Sequence, residues 1–374
     1  MVSSKLATVL ALAIPGLVGA QSYNLVKSYA GSTFFDDWTF YGNYDNLTNG
    51  DAIFVTEEVA AAEQLAYVNP AGNAIIKVDN TTNVVWNNKR NTVRIASKDA
   101  YSVGSVWIAD MLHVPFGCSV WPAFWSQAAN WPAGGEIDTF EGVNMVQHSQ
   151  SALHTEPGCT IANAVQTSTL VNSTDCSYLD NENEGCQVTN PDPSSYGAAF
   201  AAAGGGVFVT EFAESGISIW FYSRKNVPAN LLTGNSVSTS SLGTPTVNYP
   251  ATGCAIDKYF QPQNLIFDIT LCGDLAGNNA TFAQTCTGVC YNDYVIGPPS
   301  GYNNAYFEVS SVRVFTAADN STGGSGGSSS NSSSSSGSSG SSKPNGAVGW
   351  AAGGHAIAAF VMAAAIACLF SASL

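Results

Sequence analysis

An all-β sandwich is the fold class this chain predicts, and three observations carry that reading. Apolar and polar residues alternate with period two through several runs. Gly, Asn, Pro and Ser punctuate between those runs. Only TEEVAAAEQLAY, residues 56 to 67, has helical composition, and it is too short to set the fold.

The runs justify themselves in chain order. TVRIAS sets Val93 and Ile95 against Arg94 on opposite faces. GISIWFYSR places Ile217, Ile219 and Phe221 on one face and Ser218, Trp220 and Tyr222 on the other. NLIFDITL turns Leu265, Phe267, Ile269 and Leu271 one way, and YFEVSSVRVF reads as one more alternating strand. From residue 21 to 318 there is no linker, repeat or charge block, so one β domain of sandwich size is expected.

The two ends read as addresses. Residues 1–20 combine Lys5, an apolar run from Leu6 and small residues Val18-Gly19-Ala20, the layout of a secretory signal peptide. Residues 319–345 form a Ser/Gly-rich stalk. Residues 346–374 end in IAAFVMAAAIACLFSASL with no charge after it. A transmembrane span would ordinarily carry Lys or Arg on its cytoplasmic side. The pattern instead fits a GPI-attachment propeptide, with Asn345 as the preferred site, and so predicts a secreted, cell-surface protein that meets the membrane only through a lipid anchor. Sequons at Asn46, Asn80, Asn172, Asn279, Asn320 and Asn331 agree with secretion. So does the even set Cys118, Cys159, Cys176, Cys186, Cys254, Cys272, Cys286 and Cys290. In an oxidising compartment these form disulfides, although about a hundred pairings are possible. Cys368 falls in the tail.

Composition narrows the partner. Of 374 residues, 10% are charged, and the formal charge is −15. That balance disfavours nucleic acid and anionic membrane surfaces. With 18 Phe, 15 Tyr and 8 Trp, a neutral ligand with apolar faces fits better.

The chemistry concentrates in GGEIDTFEGVN, residues 134 to 144. A helix would scatter Glu136, Asp138 and Glu141, because steps of two and five residues turn about 200° and 500°. A strand puts Glu136 and Asp138 on one face but Glu141, three residues on, on the other. A β-bulge between Asp138 and Glu141 restores the parity and brings all three to one surface. Glycoside hydrolysis uses such a set: two carboxyls roughly 5–5.5 Å apart, one as nucleophile and one as acid/base, serve a retaining mechanism. A third acid between them keeps the group from ionising fully. A solvated acidic turn would carry the same letters. A calcium loop would not tolerate Ile137 and Phe140 so readily.

Just upstream, SVWPAFWSQAANWPAGG supplies Trp121 and Trp125, four apart and hence on one strand face, together with Trp131. They can floor a saccharide cleft or pack in the core. Arg94 suits a surface salt bridge as well as a sugar contact. His113, His148 and His154 show no ligand spacing, so no metal and no cofactor are expected.

Together GCSVWPAFW, GGEIDTFEGVN, LHTEPGCTIA, FDITLCGDLAG and AYFEVSSVRVF resemble the fungal branch of glycoside hydrolase family 16, the laminarinase-like endo-β-1,3(4)-glucanases, over residues 23 to 316. The resemblance implies a concanavalin A-like β-jelly-roll sandwich with an open concave cleft and a retaining mechanism without a cofactor. It implies Glu136 as nucleophile, Glu141 as acid/base and Asp138 as the acid between them. It places His154 near the reacting sugar, and Trp125, Trp131 and Arg94 in the cleft, while Trp121 joins them as a substrate-binding candidate through its shared face with Trp125. Leu275 departs from it, standing where relatives often carry Trp. The expected partner is a β-glucan polysaccharide, β-1,3 or mixed β-1,3/1,4, met by a monomer. Two rival functions remain: a cell-wall glucan transglycosylase on the same fold, and a non-catalytic glucan-binding surface protein.

Overall fold

A computed structural model describes residues 21–317. The expected signal peptide, stalk and GPI propeptide with Asn345, the sequons Asn320 and Asn331, and Cys368 lie outside the described residues. Among the described residues no helix is long and apolar enough to cross a membrane.

Two antiparallel sheets form the sandwich. One has eight strands in the order Thr169–Leu170, Val188–Thr189, Gln150–His154, Glu136–Glu141, Val120–Ala128, Gln263–Leu271, Arg94–Tyr101 and Trp38–Phe40. The other is built around Ser22–Ala30, Tyr306–Ala317, Ser105–His113, Gly206–Ala213 and Gly216–Ser223. Val120–Ala128, Glu136–Glu141 and Gln150–His154 are consecutive in the chain, as are Gly206–Ala213 and Gly216–Ser223. Other neighbours, such as Val120–Ala128 with Gln263–Leu271 and Ser22–Ala30 with Tyr306–Ala317, pair over long sequence separations.

Period-two patterning decides which side chains meet between the sheets. Phe124, Ile137, Phe140 and Phe267 of the eight-stranded sheet are fully buried against Trp107, Phe208, Phe212 and Phe307 of the other. Phe124 and Phe267 stack at 4.5 Å, and Phe140 meets Phe208 edge-on at 5.3 Å. Ile217, Ile219 and Phe221 join this core. Trp220, on the opposite face of the same strand, joins a second apolar cluster with Tyr23, Ile108 and Val209.

Two expectations need correction. Tyr306–Ala317 does not alternate throughout: Phe307, Val309, Val312 and Val314 face the main core, because irregular pairing around Val309 and Ser311 slips the period by one. The stretch 56–67 does contain a helix, Glu57–Ala62, capped by Thr56. It is not alone, however. Gly197–Ala202, in an alanine-rich run, forms another single-turn helix that buries Phe200, and shorter helical turns follow Cys254 and Cys272.

All eight cysteines of the domain pair: Cys118 with Cys286, Cys159 with Cys254, Cys176 with Cys186, and Cys272 with Cys290. Asn46, Asn172 and Asn279 are exposed and Asn80 is half-buried.

Candidate active site

The acidic strand Glu136–Glu141 lies between Val120–Ala128 and Gln150–His154. Asp138 pairs with Trp125 on one side and Ala152 on the other, whereas Glu141 pairs with Ala123 and Gln150. Both neighbours advance two residues while the acidic strand advances three. The bulge therefore falls where the parity argument requires it. Thr139 and Phe140 both turn into the core, leaving Glu136, Asp138 and Glu141 on the outward face. A buried hydroxyl needs partners, and Thr139 has two from the opposite sheet: the Trp107 indole donates to it at 3.2 Å and Thr210 lies at 2.7 Å. Nothing near Thr139 in the sequence signals these partners, which are 32 and 71 residues away.

The three acids differ in environment. Glu136 is half-buried and accepts a hydrogen bond from the indole of Trp131. Asp138 and Glu141 are buried. Glu141 accepts from the Trp121 indole at 3.0 Å. Burial pushes its carboxyl up to about 7, with the Trp121 bond and the charge on His154 pulling the other way. Burial, then the charges of Glu136 and Glu141, hold Asp138 well above the usual carboxylate range. His154 faces Asp138 across 3.3 Å from Nε2 to Oδ2, a contact too poorly aligned to count as a hydrogen bond. Burial alone would lower His154. Glu136, Asp138 and Glu141 overcome it and raise the imidazole to about 10. The ligand-type atoms of Glu136, Asp138 and His154 lie within 4.8 Å of one another. With its pKa raised by the acids around it, the imidazole pairs in charge with them.

The flanking strands place aromatic rings beside the acids. Trp121 and Trp125 share the outward face of Val120–Ala128, both half-buried. Arg94 lies with them. It is an ion-paired, nearly buried group rather than a surface one, bonded to Asp268 at 2.7 Å and placed over the rings of Trp125 at 4.8 Å and Tyr41 at 5.6 Å. Burial raises Asp268 to about 6, against the pull of Arg94. Trp131 sits in the turn before the acidic strand, 39% exposed and edge-on to Tyr178 at 5.9 Å, forming an aromatic rim beside Glu136. Leu275 is half-buried on the helical turn Gly273–Ala276.

Sequence reasoning named the acids, His154, Arg94 and the three tryptophans, and missed Asp268, Tyr41, Tyr178 and Asn183. The outward face of Asp268 was within reach, because it alternates with the core residues Phe267 and Ile269, but its place beside Arg94 comes only from strand pairing. Tyr178 and Asn183 sit in an irregular loop and carry no periodic signal.

A row of buried and half-buried carboxylates, floored by aromatic rings on the outer face of an antiparallel β-sandwich, defines a glycoside hydrolase. Comparison with known proteins agrees. The family described as "XgeA-like, catalytic GH16 domain" matches residues 38–315. A probable glycosidase of Schizosaccharomyces pombe is 38% identical over 301 residues, covering 79% of this chain and 70% of its own length. A probable endo-1,3(4)-β-glucanase of Aspergillus fumigatus is 35% identical over 307 residues, covering 79% of this chain and 46% of its own. The chain thus spans about half the length of its Aspergillus relatives. Among solved structures, laminarinase 16A of Phanerochaete chrysosporium, with two β-glucans in its donor and acceptor sites, superposes with a TM-score of 0.75 at 35% identity, covering 79% of this chain and all of its own. An elongating family 16 β-1,3-glucosyltransferase superposes at 0.72 and 36%, with the same coverage of both chains. The chain belongs to glycoside hydrolase family 16, in its XgeA-like, endo-β-glucanase branch.

Proposed function

We propose that this hydrolase is an endo-acting, retaining β-glucanase that cleaves β-1,3 or mixed β-1,3/1,4 glucan through a glycosyl-enzyme. The observation that carries this is the unequal pair on one cleft face: Glu141 is buried and holds its proton up to about pH 7, while Glu136 is half-buried and reaches solvent beside the Trp131–Tyr178 rim. Glu141 protonates the departing glycosidic oxygen as the Glu136 carboxylate attacks the anomeric carbon, forming an ester and releasing the leaving sugar. Glu141, now ionised, takes a proton from water, which attacks the same carbon and frees Glu136. Asp138, whose carboxyl is held well above the usual range by burial and its acidic neighbours, lies on the strand between them, and the charged His154 offsets the negative charge of the cluster. The role of Arg94 and the tryptophans is to present flat apolar faces and fixed donors to a run of sugar rings.

A second reading has a specific observation in its favour. The likeness to an elongating β-1,3-glucosyltransferase, at a TM-score of 0.72 and 36% identity, nearly matches the likeness to the laminarinase, at 0.75 and 35%, so transfer of the glycosyl group to another sugar is a competing outcome. Product sizing on laminarin, lichenan and barley β-glucan separates the two. The proposed enzyme gives mixed short oligosaccharides from internal cuts, and turns over short substrates poorly because remote subsites supply binding energy to the transition state. Products longer than the starting oligosaccharide favour the transferase. Glucose alone, released from chain ends, contradicts endo cleavage.

A further inference from the structure

The loop closed by Cys176–Cys186 contains a backbone feature that the fold does not require. Asn181, Glu182 and Asn183 all adopt left-handed conformations, with φ of 49°, 55° and 63°. Single left-handed residues are ordinary, but three in a row that include a glutamate cost energy. The turn delivers one contact: the Asn183 side-chain oxygen lies 3.0 Å from Nδ1 of His154, on the ring edge opposite Asp138. A second, independent feature presses the same loop onto the same ring. Gly185, at φ +66°, leaves no room for a side chain, since a Cβ there would lie 2.5 Å from the Leu153 carbonyl and 3.0 Å from Cε1 of His154. The disulfide at both ends of the loop and the Cys186 amide bond to Leu153 hold it in place.

We propose that Asn183 is a positioning residue of the glycosidase reaction: its side-chain oxygen, presented by the left-handed turn of the Cys176–Cys186 loop, accepts from Nδ1 and so holds the His154 ring with Nε2 in ion-pair range, 3.3 Å, of Asp138. The amide acts through His154 and touches neither sugar nor carboxylate. The groups facing the imidazole are Glu136, Asp138 and Glu141 from the acidic strand. From the loop, Gly185 lies against the ring, and the loop's own acids are Asp180, Glu182 and Glu184, of which Glu184 accepts from Asn172 at 3.0 Å. Asn183 thus supplies the acceptor that Nδ1 of a charged imidazole needs, and without it Nδ1 loses that hydrogen bond. The role in catalysis rests on the retaining reading above, but the effect on His154 does not.

Two substitutions keep the turn and change only the acceptor. Asn183→Gly removes the side chain at a position where glycine adopts positive φ freely. Asn183→Asp keeps an acceptor and makes it charged. With the full chain labelled at histidine nitrogen, ¹H–¹⁵N NMR follows the His154 ring through a pH titration. Asn183→Gly is expected to lower the pH at which His154 loses its proton by about one unit and to cut kcat about tenfold, with KM changed less than about twofold. Asn183→Asp is expected to raise that pH and to restore kcat to within about threefold of wild type. An unmoved His154 titration in both variants overturns the proposal. So does an equal loss of activity in both, which is what a merely structural loop would give. If the titration moves as expected while the wild-type enzyme releases an inverted product, the positioning of His154 stands and the assignment of Glu136 falls.

Discussion

Glu136→Ala is expected to lose glucan cleavage by roughly 10⁴–10⁶-fold, and no improvement of the leaving group should recover it. The atom that attacks the sugar is gone. Glu141→Ala is expected to lose about 10²–10⁴-fold on glucan yet to keep a fast first step on an activated aryl β-glycoside, whose leaving group barely needs a proton. The glycosyl-enzyme then accumulates, because Glu141 is also the base for water. Added azide needs no base, so it should speed release and give a β-azide from Glu141→Ala. In Glu136→Ala azide can occupy the vacated side of the sugar and give the α-azide. Product configuration is read by ¹H NMR, and swapped configurations mean the two roles are reversed. The asymmetry follows from the site: Glu141 is buried under the Trp121 indole and keeps its proton, whereas Glu136 lies half-buried at the rim.

Arg90→Ala is expected to be the most destabilising single change away from the cleft, at about 3–5 kcal/mol. Arg90 is fully buried, and its nearest carboxylate oxygen, on Asp79, is 3.9 Å away. Its guanidinium instead spends its donors on carbonyls: Val295 at 2.8 and 3.1 Å, Thr82 at 2.9 Å, Asp79 at 3.1 Å and Gly297 at 3.2 Å, with its flat face 4.6 Å from the centre of the Tyr302 ring. One side chain thereby ties segment 79–82 to segment 295–297, close to the Cys272–Cys290 bridge at the end of Gln263–Leu271. Truncation leaves four buried or part-buried carbonyls without this donor. Thermal unfolding of Arg90→Ala beside Arg90→Lys and the exposed control Lys98→Ala checks this. Arg90→Lys cannot reproduce the fork and should lose nearly as much. A loss below about 1 kcal/mol in Arg90→Ala shows that water replaces the guanidinium without penalty.

The sequence made some of this legible and hid the rest for identifiable reasons. The bulge could be read because strand parity is arithmetic: spacings of two and three cannot share a face unless one residue is extra, and Thr139 is that residue. Trp121 and Trp125 followed from the same rule. Trp131 did not, since it lies in the turn outside the strand. Arg94 was undecidable alone, because its partner Asp268 is 174 residues away, and only the pairing of Arg94–Tyr101 with Gln263–Leu271 brings them together. The disulfide pattern was equally closed to sequence, as the partners range from 10 to 168 residues apart. Asn183 was the least legible of all. Its conformation is set by the loop's closure and by its packing on His154, neither of which leaves a periodic trace.

The central claim is that Glu136 and Glu141 act from one face by two successive displacements at the same carbon. Its most direct measurement is the ¹H NMR spectrum of a laminarin-type oligosaccharide during the first minutes of cleavage by the wild-type enzyme. The β-anomer of the new reducing end should appear first, with the α-anomer rising only as mutarotation proceeds. An α-anomer present from the outset would mean a single inverting displacement, with water rather than Glu136 as the nucleophile.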